Sequence, residues 1–488
     1  MSESSVDDDP VTAPRMSPLS VYLLFLKFGM RAFGGPVVQI ADQKEELVTK
    51  GKWISEKRIT RVFALYQLLP GPEATELACY FGRLAGGRLG GVAGGLGFIT
   101  PGLLLMLLSS WFYSAYGIQN MVFLSVLWGL EPAMAALVFR ATHKIADFSF
   151  RNHAKEGKPW DWGLAGVGAL AALFTVLNVN YFIVKIQLVI VYLCLARVEE
   201  APAPAPAPAI AAAAPEGGAA APAPLVAPRK APEAAPRSAP WHAAAAFFAF
   251  APLLVYIGIT GAYGRIDNLI PMGVGVASRL GNTYGGQFVV GLVAGLVTFG
   301  GAYTAIPFVE YETVRSGAGA AWVSAQQFLD SLAICSVLPT PLVMFITMIG
   351  WLSGVNSDKS QSQLTGLWGA LLMTLGMFIP AFVFPVCFHD SLERVVDKKG
   401  WFPRALDAIA ATVVGQIAVT ACQLLRNSVT ANCYFSGALQ GAVCSPSKAP
   451  LQACIFAGAL NVAYWLPHKF TPVLIVSCSA LAGVILFY

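Results

Sequence analysis

Charged residues are scarce in the apolar runs of this chain, so the few that occur there are the first candidates for chemistry. Lys27 and Arg31 stand four apart in an apolar segment that ends at Phe33-Gly34-Gly35-Pro36. At that spacing they share one helix face, and a cation inside an apolar span is costly enough to suggest a function. The plainer reading is that their long side chains snorkel to the membrane surface. Leu69-Pro70-Gly71-Pro72 leads straight into Glu73 and Glu76, and Glu131 stands in a third apolar run. A carboxylate held away from water can take up and release a proton, so Glu73, Glu76 and Glu131 are candidates for proton coupling. The competing role for such acids is to stabilise a helix start.

The glycines and prolines beside these charges interrupt their own helices. Paired glycines admit unusual backbone angles, and proline restarts a helix at its first turn. Four such breaks occur: Phe33-Gly34-Gly35-Pro36, Pro70-Gly71-Pro72, Phe299-Gly300-Gly301 and Pro339-Thr340-Pro341. Irregular backbone at membrane depth survives only inside protein or beside a wet cavity. The functional reading is that the four breaks converge near mid-membrane as a substrate site. The bland reading is that they are kinks serving packing.

The elements that must hold these residues are membrane spans. Apolar residues make up 56% of the 488 positions and charged residues 12%, about half the charge of a soluble protein. The net charge of +5 is dispersed and offers no basic stripe for nucleic acid. Apolar runs long enough to span a bilayer recur throughout and predict an all-α, polytopic membrane protein with about 13 transmembrane helices. Residues 1–17 are expected to be a disordered tail, 18–198 a first transmembrane repeat, 199–240 an Ala/Pro-rich linker, 241–263 a connecting span and 285–488 a second repeat. The basic loop from Arg140 to Lys158, the basic linker and the loop from Glu393 to Arg404 fall on one side of this count. The positive-inside rule then places the N-terminus and linker in the cytoplasm, with the plasma membrane as the expected location.

The same landmarks occur twice, in the same order. Phe33-Gly34-Gly35, Trp53-Ile54-Ser55 and Leu69-Pro70-Gly71-Pro72 return as Phe299-Gly300-Gly301, Trp322-Val323-Ser324 and Leu338-Pro339-Thr340-Pro341. Trp53 to Pro70 and Trp322 to Pro339 are both 17 residues apart. Farther on, Gly97-Phe98-Ile99-Thr100-Pro101 resembles Gly376-Met377-Phe378-Ile379-Pro380, and Glu131 and Asp407 are each expected to open an apolar helix. Aligning the FGG motifs sets Glu46 on Glu312, both expected to be loop charges. An odd number of spans separates the two starts, which predicts inverted-topology repeats with broken helices.

These motifs, FGG followed by W-[IV]-S and LPxP, twice in order, resemble the chromate ion transporter family in its long two-domain form. Gln39-Ile40-Ala41 and Thr298-Phe299-Gly300-Gly301-Ala302-Tyr303 strengthen the likeness, which covers most of both halves. The resemblance implies a carrier that exports chromate, with sulfate as a related ligand. Both are tetrahedral dianions. Helix N-termini can replace the lost water through free N–H groups and the positive end of the dipole, which would make Lys27, Arg31 and the four breaks the substrate-binding residues.

Several function classes are disfavoured. The chain has no GxxxxGK[ST] motif for ATP, no enzyme motif within a span, and no Cys/His spacing for a metal; no cofactor is expected. Cys433 and Cys444 share one loop and could form a disulfide if it faces an oxidising compartment. The expected function is secondary active oxyanion transport by alternating access, coupled to a proton or a counter-anion. The alternative is an anion channel or a carrier for another small anion. The lipid bilayer is the expected surrounding, and a homodimer is an allowed assembly.

Overall fold

The computed structural model describes residues 12–33, 36–67, 69–116, 121–151, 161–177, 181–195, 276–298, 305–314, 321–357, 362–389, 401–430, 433–435, 442–444, 448–466 and 471–487. The expected linker, the connecting span, Gly34, Gly35, Phe299, Gly300 and Gly301 lie outside the described residues.

The first half runs α1 (Pro18–Met30), α2 (Pro36–Lys44, prolonged by a π-helical turn Glu45–Lys50), α3 (Glu56–Gln67), α4 (Glu73–Ala115), α5 (Met121–Arg151), α6 (Trp162–Val176) and α7 (Tyr181–Leu195). The second half runs α8 (Val276–Leu280), α9 (Tyr284–Val297), α10 (Ala305–Val314), α11 (Ala325–Val337), a 3-10 turn Leu342–Met344 leading into α12 (Phe345–Ser357), α13 (Gln363–Val383, prolonged by a π-helical turn Phe384–Phe388) and α14 (Trp401–Thr430). Two short antiparallel strands follow, β1 (Cys433–Phe435) and β2 (Ala442–Cys444), with Cys433 directly opposite Cys444. The chain closes with α15 (Lys448–Trp465) and α16 (Thr471–Phe487). The protein is a helical polytopic membrane protein.

Four helical segments among the described residues are long and apolar enough to cross a membrane: Glu73–Ala115, Met121–Lys144, Gln363–Phe388 and Asp407–Arg426. Exposed Leu104, Leu108, Leu481 and Ile485 form the kind of surface that suits lipid. Six further apolar helices are shorter, and three of them, Pro18–Met30, Tyr284–Val297 and Leu342–Ser357, adjoin the breaks. Ser17 caps α1 through its hydroxyl, which accepts from the Ser20 amide, and Pro18 opens the first turn. The helix then stops after 13 residues, about 20 Å, well short of a hydrocarbon core about 30 Å thick. Beside the breaks the helices stop and restart: α1 ends at Met30 and α2 begins at Pro36, α3 ends at Gln67 and α4 begins at Glu73, and α11 ends at Val337 ahead of the 3-10 turn at Leu342. α4 is the opposite case. Its 43 residues would reach about twice the membrane thickness as one rod. The chain instead turns at Gly86 and Gly87, where Gly87 has φ +65°, a conformation glycine adopts without strain.

The halves pack through corresponding contacts. A Cβ on Gly29 would meet the Phe98 carbonyl and Pro101, and a Cβ on Gly295 would meet the Met377 carbonyl and Pro380. In each half the short helix before the FGG break therefore lies directly on the proline-containing stretch of a long helix. The turn between α2 and α3 is charged and exposed. Lys44 pairs with Glu56 at 2.8 Å, and Lys50 with Glu46 at 2.9 Å and Glu45 at 3.3 Å. The hydrogen bond from Lys44 holds the Glu56 carboxyl below its usual range, and the bond to Glu46 raises Lys50.

Two expectations need correction. Glu131 and Asp407 do not open helices; both lie inside long ones, α5 and α14. Glu46 and Glu312 align but differ in environment. Glu46 is on the charged turn, whereas Glu312 is 1% exposed and accepts a hydrogen bond from the Ala277 amide at 2.9 Å.

Candidate functional site

The breaks of one half bind those of the other. The Gly71 amide donates to the Thr298 carbonyl at 2.8 Å, joining the LPGP break of the first half to the residue preceding the second FGG. The Gln39 side-chain amide donates to the Ala32 carbonyl at 2.9 Å and to the Thr340 carbonyl at 3.2 Å. This second link joins the first FGG region to the LPTP break of the second half. Gln39 is buried, as is Ala32.

Each LPxP break also seats against a proline kink of the opposite half. Gly71 lies on Ala381, which follows Pro380; Thr340 lies on Gly102, which follows Pro101. The sizes are complementary. Gly71 has φ +152° and faces an alanine, while Thr340 faces a glycine whose added Cβ would come 2.8 Å from the threonine Cβ. Thr340 is tied down further by its hydroxyl, which donates to the Pro341 carbonyl at 2.8 Å.

The acids sit on one side of this arrangement. Pro72 ends the break without a side-chain cap, and Glu73 and Glu76 occupy the first turn of α4. Glu76 is 0% exposed and Glu73 is buried. Neither Glu76 oxygen, nor Glu73 Oε1, has a hydrogen-bond partner among the described residues. Glu76 Oε1 points back at the break, 2.7 Å from where a Cβ on Gly71 would stand. By contrast, α2, α10 and α12 begin without an acidic residue in the first turn. Three break-associated helix starts thus keep an uncompensated positive dipole end, and one carries two carboxylates.

Glu131 is buried elsewhere, between the halves. The Gln326 side-chain amide donates to Glu131 Oε1 and, at 3.1 Å, to Asp330 Oδ1; the Tyr113 hydroxyl donates to Asp330 Oδ2 at 2.6 Å. α4, α5 and α11 meet at this cluster. Lys27 and Arg31 are exposed, on α1 and at its end. Neither makes an ion pair among the described residues. Phe33 is half-buried at the edge of the break, Pro70 and Pro339 are half-buried, and Pro72 and Pro341 are buried.

Sequence reasoning missed Gln39, Thr298, Gly102, Gln326 and Asp330 as parts of these junctions. Gln39 and Thr298 stood within the motif segments but carry no charge to single them out. Gln326 and Asp330 did leave a signal: an amide and an acid four apart, on one face of their helix. No metal-binding group of His, Cys, Asp or Glu is present among the described residues.

A family model described as chromate transporter matches residues 19–197 and 287–484. The chain is 35% identical over 474 residues to the chromate transport protein of Pseudomonas aeruginosa, covering 97% of this chain and 94% of that protein. It is 24% identical to the chromate transport protein of Cupriavidus metallidurans, covering 86% and 85%. The uncharacterized transporter YwrA of Bacillus subtilis is 27% identical over 129 residues, which are 26% of this chain but 72% of that protein. No solved structure matches the chain. With both halves matched and a relative aligned over nearly its whole length, the chain belongs to the chromate transporter family.

Proposed function

We propose that this protein carries chromate across the plasma membrane, exporting it, with sulfate as a related ligand, by alternating access between two inverted halves. The observation that carries the proposal is the crossed pairing of the breaks, Gly71 to Thr298 and Gln39 to Thr340. Single hydrogen bonds and van der Waals seats join each LPxP break to the opposite half, so a rocking motion of the halves would open and close these junctions. The chemistry of the family relatives named as chromate transport proteins supports the substrate. A relative about the size of one half supports treating each half as a unit. An odd number of spans between the two starts makes the units inverted.

The dianion is held at the acid-free helix starts that follow Gly34-Gly35, Gly300-Gly301 and Pro339-Thr340-Pro341, where N–H groups supply the contacts. Arg31, one turn beyond Lys27 and just ahead of Phe33, draws the anion toward the break. Glu73 and Glu76 occupy the fourth start, where a negative charge on them would repel the dianion, so loading substrate favours their protonation. Reciprocal linkage then makes proton uptake favour substrate. Glu131 is a second proton-carrying candidate. The N-terminus and the linker lie in the cytoplasm.

Reconstitution of the full chain in proteoliposomes tests the proposal. Radiolabelled chromate flux should saturate with concentration, be stimulated by chromate or sulfate on the opposite side and respond to pH. Arg31→Ala should reduce it about tenfold or more without loss of folded protein. Non-saturating flux indifferent to the opposite side would mean a channel, and absence of chromate flux from folded protein would overturn the substrate.

A further inference from the structure

The first leg of α4 leads from the break to the exposed turn at Gly87, and Glu76 is not the only ionisable group buried along it. Tyr80 follows Glu76 by one helical turn on the same face. Its ring lies 4.9 Å from that of His389 and 5.9 Å from that of Tyr66, centroid to centroid. The Tyr66 hydroxyl is 3.2 Å from His389 Nδ1. Glu76, Tyr66 and Tyr80 are at most 1% exposed and His389 4%. Three segments meet here: α3 supplies Tyr66, α4 supplies Glu76 and Tyr80, and His389 caps the π-helical turn after α13, beside exposed Phe388.

A buried histidine bonded to a buried tyrosine, between an exposed edge and a carboxylate with no hydrogen-bond partner among the described residues, is an arrangement that packing alone does not require. Two phenols and an imidazole are proton donors and acceptors in turn. Imidazole has two nitrogens, so it can accept a proton at one while giving one up from the other.

We propose that His389, Tyr66 and Tyr80 form the proton path that serves Glu76, with His389 as its outer end. A proton arriving at His389 Nε2 forms an N–H bond there as the Nδ1–H bond breaks toward the Tyr66 oxygen. Tyr66 passes its own hydrogen inward, and the tyrosines deliver one proton to the Glu76 carboxylate, so charge and hydrogen count balance at every step. Among the described residues, the other ionisable groups that interact with the path are Glu73, Cys79 and Arg83, all on α4. Arg83 donates to the Pro385 carbonyl at 3.1 Å. The proposal rests on Glu76 as the coupling group.

The test uses the full chain in proteoliposomes with a trapped pH dye and radiolabelled chromate. Two modes are compared: flux driven by a pH gradient, and chromate–chromate exchange at equal pH. His389→Gln and Tyr66→Phe should slow gradient-driven flux about a hundredfold, flatten its pH profile and retain exchange. Added imidazole should restore His389→Gln. Tyr66→Phe keeps the ring packing and decides the matter if the histidine variant fails to fold. Wild-type pH dependence in both folded variants, with pH dependence lost in Glu76→Gln, would overturn the path and leave the coupling role intact. Unchanged pH dependence in Glu76→Gln as well would remove the coupling role and the path together.

Discussion

At the scale of single residues, the junctions between halves are matched in size. Gly71 faces Ala381, and Thr340 faces Gly102. Gly102→Ala therefore places a methyl against the Thr340 side chain, an overpacking that costs about 1–3 kcal/mol in a close-packed interior. Folded Gly102→Ala should transport more slowly and melt at lower temperature. Thr340→Gly empties that space but loses buried packing and the hydroxyl's bond to Pro341, so it should itself lower stability, and the double variant should lose less than the sum of the two, a coupling visible in a double-mutant cycle of thermal unfolding. Strict additivity of the two changes would mean that the two residues do not share one space. The sequence marks Thr340 plainly, between two prolines. It does not mark Gly102, because the residue that gives it meaning is 238 positions away (340 − 102) and in the other half. Gln39 is hidden for the same reason: its bond to Thr340 crosses 301 positions.

At the scale of elements, local rules account for where helices stop. The Gly/Pro clusters are readable because proline removes a donor and glycine relaxes φ, and every described helix boundary near a break falls beside one. Local rules also mark the turn within α4, since Arg83 and Arg88 flank Gly86-Gly87, but they do not give the direction in which the chain folds back there. Nor do they show that Glu312 is buried while Glu46 is not, since burial depends on α8 packing over α10. The hairpin β1–β2 is another element that only pairing reveals. Its strands set Cys433 opposite Cys444, a placement that lets the two close a loop of 11 residues (444 − 433). We expect a disulfide there in protein purified from an oxidising compartment. Peptide mapping without reductant should find the two cysteines in one cross-linked species, and reduction should lower stability by about 2–3 kcal/mol. Two free thiols in freshly isolated protein would exclude the bond and argue that this hairpin faces the cytoplasm.

For the whole molecule, the decisive issue is the relative sense of the two halves. Their element order is similar and their breaks are cross-linked, yet those facts alone permit either sense. Topology follows from counting spans, and the count passes through the connecting segment at 241–263. Accessibility measures the answer directly. Lys52 and Ala321 occupy the position before the tryptophan in each copy, and both are exposed. In a background with the exposed native cysteines replaced by serine, Lys52→Cys and Ala321→Cys should react oppositely with an impermeant maleimide applied to intact cells: one labelled, the other labelled only after the membrane is opened. The proposed inversion would let the crossed junctions act as a pair. A motion that loosens Gly71 from Thr298 on one side of the membrane would tighten Gln39 on Thr340 toward the other, because the axis relating the halves exchanges the two contacts. Labelling of both positions from the same side would make the duplication parallel. The junctions would then lie at one level, and rocking could not alternate between them.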